Sequence, residues 1–172
     1  MAEPKKARPK IEDVIVDFLS GDSLKNALDF IAYLKENKMS PQWSATNSWK
    51  VSFKAHNVCF IRLSGAVHYH SLEAGSWHIR AFIGEFEDYL PDDYKEIVWS
   101  NIRYCNKCSS CNGKRMVIFG KEIDNVCDSI VVKNPSAKAI ECIKKIIPMR
   151  KNAIQEGKVK KYIYVPSSKR TE

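Results

Sequence analysis

Three stretches decide the fold: Trp49-Lys50-Val51-Ser52-Phe53-Lys54, Val58-Cys59-Phe60-Ile61-Arg62-Leu63 and Trp77-His78-Ile79-Arg80-Ala81-Phe82-Ile83. The first and third alternate apolar and polar residues, the pattern of a strand with one face buried, and the run between them reads as a further strand. His56-Asn57 is placed to turn the first run back onto the second as a hairpin. In the third run, Trp77, Ile79, Ala81 and Ile83 share one face. His78 and Arg80 take the other, joined by Phe82 at the strand's end.

Helical spacing lies on either side. Ile11, Val14, Ile15 and Phe18 predict a short helix that Ser20-Gly21 stops. Asp22 or Ser23 can cap a second helix running to about Asn37, with Leu24, Ala27, Leu28, Ile31 and Leu34 as its buried stripe. Ser40-Pro41-Gln42-Trp43 reads as a turn, and residues 64–75 are turn-rich. Pro91-Asp92-Asp93 opens a helix to about Ile102, since proline and acids suit a first turn. Arg115–Phe119 and Ser129–Val132 are short strand candidates. Asn134-Pro135-Ser136 starts a last helix with Ala139, Ile140, Ile143 and Ile147 on one face, which Pro148 cannot continue unkinked. This order predicts an α+β fold: a two-layer domain, an antiparallel sheet with helices on one face, plus a Cys-rich loop. Neither G-x-G-x-x-G nor G-x-x-x-x-G-K-[ST] occurs, so a nucleotide fold would lack its phosphate cradle.

The chain has 172 residues, 44% of them apolar, which suits one globular domain and excludes a wholly disordered chain. No stretch reaches the roughly 20 apolar residues that span a bilayer, so no membrane partner is expected. The charged start is not followed by an apolar signal core, and a cytoplasmic location is expected. The organisation reads as a flexible basic arm (1–10), a single domain (11–150) with a Cys-rich insert at about 103–128, and a basic tail (151–172). The net charge of +8 sits at the ends. Residues 1–10 carry four basic groups against one acid, and residues 144–172 carry nine against two, which leaves the middle slightly acidic. Lys-rich ends serve solubility, or they contact phosphates through Lys158, Lys160, Lys161, Lys169 and Arg170.

Four of the six cysteines fall within a short span: Cys105, Cys108, Cys111 and Cys127. The first three repeat C-x2-C twice, a spacing that turns thiolates toward one ion, and Asn112-Gly113 permits the return. A structural metal held by these four is expected, with zinc leading. An iron–sulfur cluster is the lesser alternative, since C-x2-C-x2-C is part of the bacterial ferredoxin run but the fourth spacing departs from it. Reduced thiols in a polar loop are the plain alternative, and a thiol-redox role a further one. Cys59 and Cys142 read as small core residues. Trp43, Trp49 and Trp77 lie on or beside strands and are either core or the wall of a ligand pocket. His68 and His70 would share a face in an extended segment, as ligands or an acid–base pair, or would simply sit in an exposed loop.

Phe30-Ile-Ala-Tyr-Leu34, Pro41-Gln-Trp43, Trp49-Lys-Val-Ser-Phe53 and Trp77-His-Ile-Arg80 together carry a resemblance. From Leu24 to Ile102 the chain resembles poorly characterised families of small bacterial cytosolic α/β proteins, in which a helix is followed by a Pro-x-Trp turn and a strand series. The resemblance implies a ligand-binding or metallochaperone-like role and brings no catalytic residue; the Cys insert lies outside it. The sequence therefore points to a non-enzymatic domain that binds a small molecule or protein partner and carries a Cys-held metal. The alternatives are a nucleic-acid accessory protein using its basic ends, and an enzyme using a thiolate or a metal.

Overall fold

The computed structural model describes residues 8–65, 74–84, 86, 89–105 and 113–159. In chain order its elements are α1 (Ile11–Phe18), α2 (Gly21–Glu36), β1 (Gln42–Ala45), β2 (Ser48–Phe53), β3 (His56–Leu63), β4 (Trp77–Phe82), α3 (Asp92–Ser100), β5 (Ile102–Tyr104), β6 (Lys114–Ile118), β7 (Lys121–Lys133) and α4 (Ala137–Gln155). The seven strands make one antiparallel sheet in the order β1-β2-β3-β4-β7-β5, with β6 also paired to β7. The α+β class is as the alternation predicts.

Register assigns each side chain its face. Trp49 pairs with Ile61, Val51 with Cys59, Ile61 with Ile79, Leu63 with Trp77, and Ile79 with Val132. All of these are buried, and α4 packs on β3 and β4 over them. α2 and α3 pack beside α4, and α1 beside α2, where Lys35 and Glu12 form an ion pair. Burying each such aliphatic side chain contributes on the order of 1.5–3 kcal/mol, so this face is the main source of stability. The buried stripe of α2 is Ala27, Phe30, Ile31 and Leu34. Leu28, expected inside, is 37% exposed, and Phe30 takes the core position instead.

Several boundaries differ from expectation for local reasons. The β2–β3 turn is Lys54-Ala55, both with positive φ (46° and 65°), rather than His56-Asn57. That is the two-residue hairpin geometry whose twist matches the strands, adopted here without glycine. α2 starts at Gly21, after an extended Ser20, and not at a cap formed by Asp22 or Ser23. The Pro41-Gln-Trp segment is not only a turn, because Gln42 to Ala45 form edge strand β1. α3 stops at Ser100, and Ile102 opens β5. Residues 113–128 are not a loop excursion. Phe119-Gly120 (φ 48° and 83°) turn β6 back onto the 13-residue β7, whose other end joins the main sheet.

α4 continues through Pro148 to Gln155. Proline has no N–H to give the carbonyl four residues back, so the Lys144 carbonyl loses its helical donor. The Tyr33 hydroxyl of α2 donates to that carbonyl at 2.9 Å. The sequence alone predicts a helix end at this proline; a tertiary hydrogen bond removes the unsatisfied group that would have made it costly. Among the described residues no helix is long and apolar enough to cross a membrane.

Candidate functional site

The other face of the sheet carries the chemistry. One cross-strand row reads Ser48, Arg62, His78, Lys133 over β2, β3, β4 and β7. The next reads Lys50, Phe60, Arg80, Val131, and Phe82 pairs with Ser129 beyond it. Directly paired residues share a face, so Lys50, Arg62, Arg80 and Lys133 all project to one side with the His78 imidazole among them. None of these register positions is acidic.

The guanidiniums are held in place. Arg62 Nε donates to Ser48 Oγ at 3.3 Å and Arg80 Nε to Ser129 Oγ at 3.0 Å. Arg62 also lies 4.8 Å from the Phe60 ring centroid and Arg80 5.0 Å from that of Phe82. The two rings are neighbours, 6.1 Å apart and tilted by 52°. A ring beneath and a hydroxyl at Nε fix the plane of each fork, which lowers the entropy lost when the fork grips a planar anion. His78 is buried. Burial first, and then the charges of Arg62, Lys133 and Arg80, push its pKa down to about 4. At neutral pH it is an uncharged imidazole in a cationic field, suited to a hydrogen bond rather than to proton storage. An open cleft of about 460 Å³ at the β5 edge is lined by Arg103 and Tyr104 together with Val131 and Lys133, so it continues the same face.

The residues singled out in the sequence fall elsewhere. Trp49 and Trp77 lie in the core, 1% and 0% exposed, on the face that the helices cover. Trp49 Nε1 donates to the Pro9 carbonyl, and Trp43, half-buried, pairs with Trp49. The two inner rings therefore have no solvent-facing surface with which to line a groove. Cys59 and Cys142 are core thiols. Burial pushes the Cys59 thiol up; burial, and then Asp93, push Cys142 up to about 12, so neither is a thiolate at neutral pH.

Cys105 directly follows β5, and Cys127 lies in its neighbour β7. Cys105 N–H donates to the Asn125 carbonyl at 2.8 Å, two residues from Cys127, and both cysteines are buried. Cys108 and Cys111 lie outside the described residues, as do His68 and His70. Among the described residues no three His, Cys, Asp or Glu side chains are grouped to hold a metal. Lys158 is exposed and paired with Glu156 at 2.9 Å, while Lys160, Lys161, Lys169 and Arg170 lie outside the described residues.

Sequence reasoning placed His78 and Arg80 on one face but did not join them to Arg62, Lys50 and Lys133. The signal was the shared alternation of the strands; what was missing was the register that sets them side by side. The fold and this face define an α+β domain with a cationic, aromatic-backed sheet surface. No family model matches the chain, and neither a curated protein nor a solved structure matches it.

Proposed function

We propose that the protein is a binding module, not a catalyst, which takes a small anionic ligand on the sheet face of Arg62, His78, Arg80 and Lys133. The observation that carries this reading is the register row Arg62–His78–Lys133 with Arg80 one row on. It gathers three permanent cations and a neutral donor within two strand spacings, about 10 Å. Guanidinium forks favour carboxylate or phosphate, and a local positive field draws anions to the face. The test is calorimetric titration of the full chain with orthophosphate and pyrophosphate at low and physiological salt. Binding is expected that weakens with salt, is lost in the Arg62→Gln/Arg80→Gln double variant, and survives deletion of residues 1–7 and 160–172. Binding lost on that deletion but kept in the double variant would favour the nucleic-acid reading through the basic ends.

A second element of the proposal is a structural zinc ion held by Cys105, Cys108, Cys111 and Cys127. It is supported by the β5–β7 pairing, which brings Cys105, the residue after β5, beside the strand that carries Cys127. The donor set fits zinc, and the ion would tie the β6–β7 hairpin to β5. Elemental analysis of protein purified without chelator tests it. About one equivalent of zinc is expected, and under roughly 0.2 equivalents of any transition metal ends the reading.

A further inference from the structure

The sheet has an open edge at β5, and the register shows what that edge offers. Val131 N–H donates to the Asn101 carbonyl and Cys105 N–H to the Asn125 carbonyl, on either side of the Ile102–Ile130 and Tyr104–Val126 pairs. Bonded and non-bonded pairs alternate in an antiparallel ladder, so positions 101, 103 and 105 turn their backbone groups toward β7. The N–H and C=O of Ile102 and of Tyr104 therefore point away from the sheet, and no strand pairs with them among the described residues. Backbone groups aligned in this way are a template for one more strand.

The side chains along the edge add a charge preference. Ile102 is buried on the helix-covered face, so Arg103 projects to the other face, the one on which Lys133 pairs with His78. Lys133 lies past Ile130, the partner of Ile102, and so stands beyond the start of β5. Neither Arg103 nor Lys133 forms a hydrogen bond or an ion pair among the described residues. The cleft of about 460 Å³ runs along this edge, from Ser100 to Tyr104 on one side and with Val131 and Lys133 on the other, and no carboxylate lines it. Tyr104 is 55% exposed, on the face opposite Arg103. Charge alone blunts an edge against pairing; an exposed tyrosine beside an arginine is the composition of a contact surface.

We propose that β5 binds an extended, acidic peptide segment of a partner protein, which joins the sheet as a further strand antiparallel to β5. Its acidic side chains, at alternate positions, meet Arg103 and Lys133, and the intervening apolar ones lie along Tyr104. Main-chain hydrogen bonds supply the affinity and the alternate side chains the choice of sequence. The inference goes beyond the reading of the sheet face as an anion site. It shares only Lys133 with that reading and needs none of Arg62, His78 and Arg80.

The test is fluorescence anisotropy of the full chain with a fluorescein-labelled octapeptide of alternating Glu and Val. In the antiparallel addition the Val residues stand opposite Ile102 and Tyr104 with their N–H groups facing β5, while those of the Glu residues face away. Expected is saturable binding that weakens at least tenfold when Lys replaces Glu in the peptide. N-methylation of the two central Val residues should weaken it as much, and N-methylation of the two central Glu residues should leave it unchanged. Arg103→Gln and Tyr104→Ser should each weaken it at least threefold without lowering the Tm, and the methylated peptides read the edge with the protein unaltered. The reverse methylation pattern keeps the added strand and makes it parallel. Equal sensitivity to both methylations, or to neither, overturns the strand addition, and equal affinity for the Lys peptide overturns the acidic partner. An oligothymidylate that binds where the octapeptide does not, and is weakened by Arg103→Gln, assigns the edge to nucleic acid and overturns the proposal. Peptide binding without phosphate binding strikes the face reading alone; phosphate binding without peptide binding strikes this inference alone.

Discussion

Replacing His78 should remove a specific pH dependence of stability. The group titrates near 6.5 in an unfolded chain and near 4 in the folded protein, because burial and the Arg62, Lys133 and Arg80 charges oppose its protonation. Between those values the unfolded chain binds a proton that the folded chain refuses, so stability falls as pH drops through this window and is unaffected above it. At about 1.4 kcal/mol per unit of pKa difference, the loss is about 1.4 kcal/mol at pH 5.5, about 2.5 at pH 4.5, and approaches 3 or more in full. Urea denaturation at pH 7.5, 6.5, 5.5 and 4.5 reads it directly, with His78→Gln as the reference that cancels the carboxylates titrating at the acid end. The difference between the two proteins should grow steadily as the pH falls. Parallel curves would refute the claim that His78 is buried in a cationic field. Orthophosphate on the face should shrink the slope, since a neighbouring anion raises the imidazole pKa.

Tyr33→Phe should cost about 1–2 kcal/mol in chemical denaturation, because the Lys144 carbonyl freed by Pro148 loses the hydroxyl that donates to it; a cost that persists undiminished in Pro148→Ala would refute the link. Ala55→Gly should stabilise by about 1 kcal/mol, as a φ of 65° strains any residue with a Cβ; a lower Tm would refute it. Gly113→Ala should destabilise the β5–β7 junction, because a Cβ there falls 2.2 Å from Asn125 Oδ1 and 3.0 Å from Cys105 Cβ, at a φ of 54°. Faster hydrogen exchange at Cys105 and Asn125 reports it, and unchanged protection counts against that close approach.

The mismatches between sequence and structure share a cause. Lys54-Ala55 carry no turn signal of the Asn-Gly kind, yet the pairing of Phe53 with His56 leaves only these two residues to reverse the chain. Pro148 is a helix breaker locally and a helix interior globally, because a tyrosine 115 positions earlier supplies the missing donor. Residues 121–128 are polar enough to pass for a loop; they are strand because β6 and β5 flank them.

Period-two alternation and helical spacing are properties of adjacent residues, and so the chain alone determined β2, β3 and β4, the four helices in outline and the α+β class. It also determined which residues of each strand share a face. Which strands stand side by side depends on pairings between segments far apart in sequence, and only the tertiary structure decided these. That pairing put Trp49 and Trp77 under the helices and drew Arg62, His78, Arg80 and Lys133 into one array. A site built across strands is a matter of register, and register is fixed by burial of the opposite face.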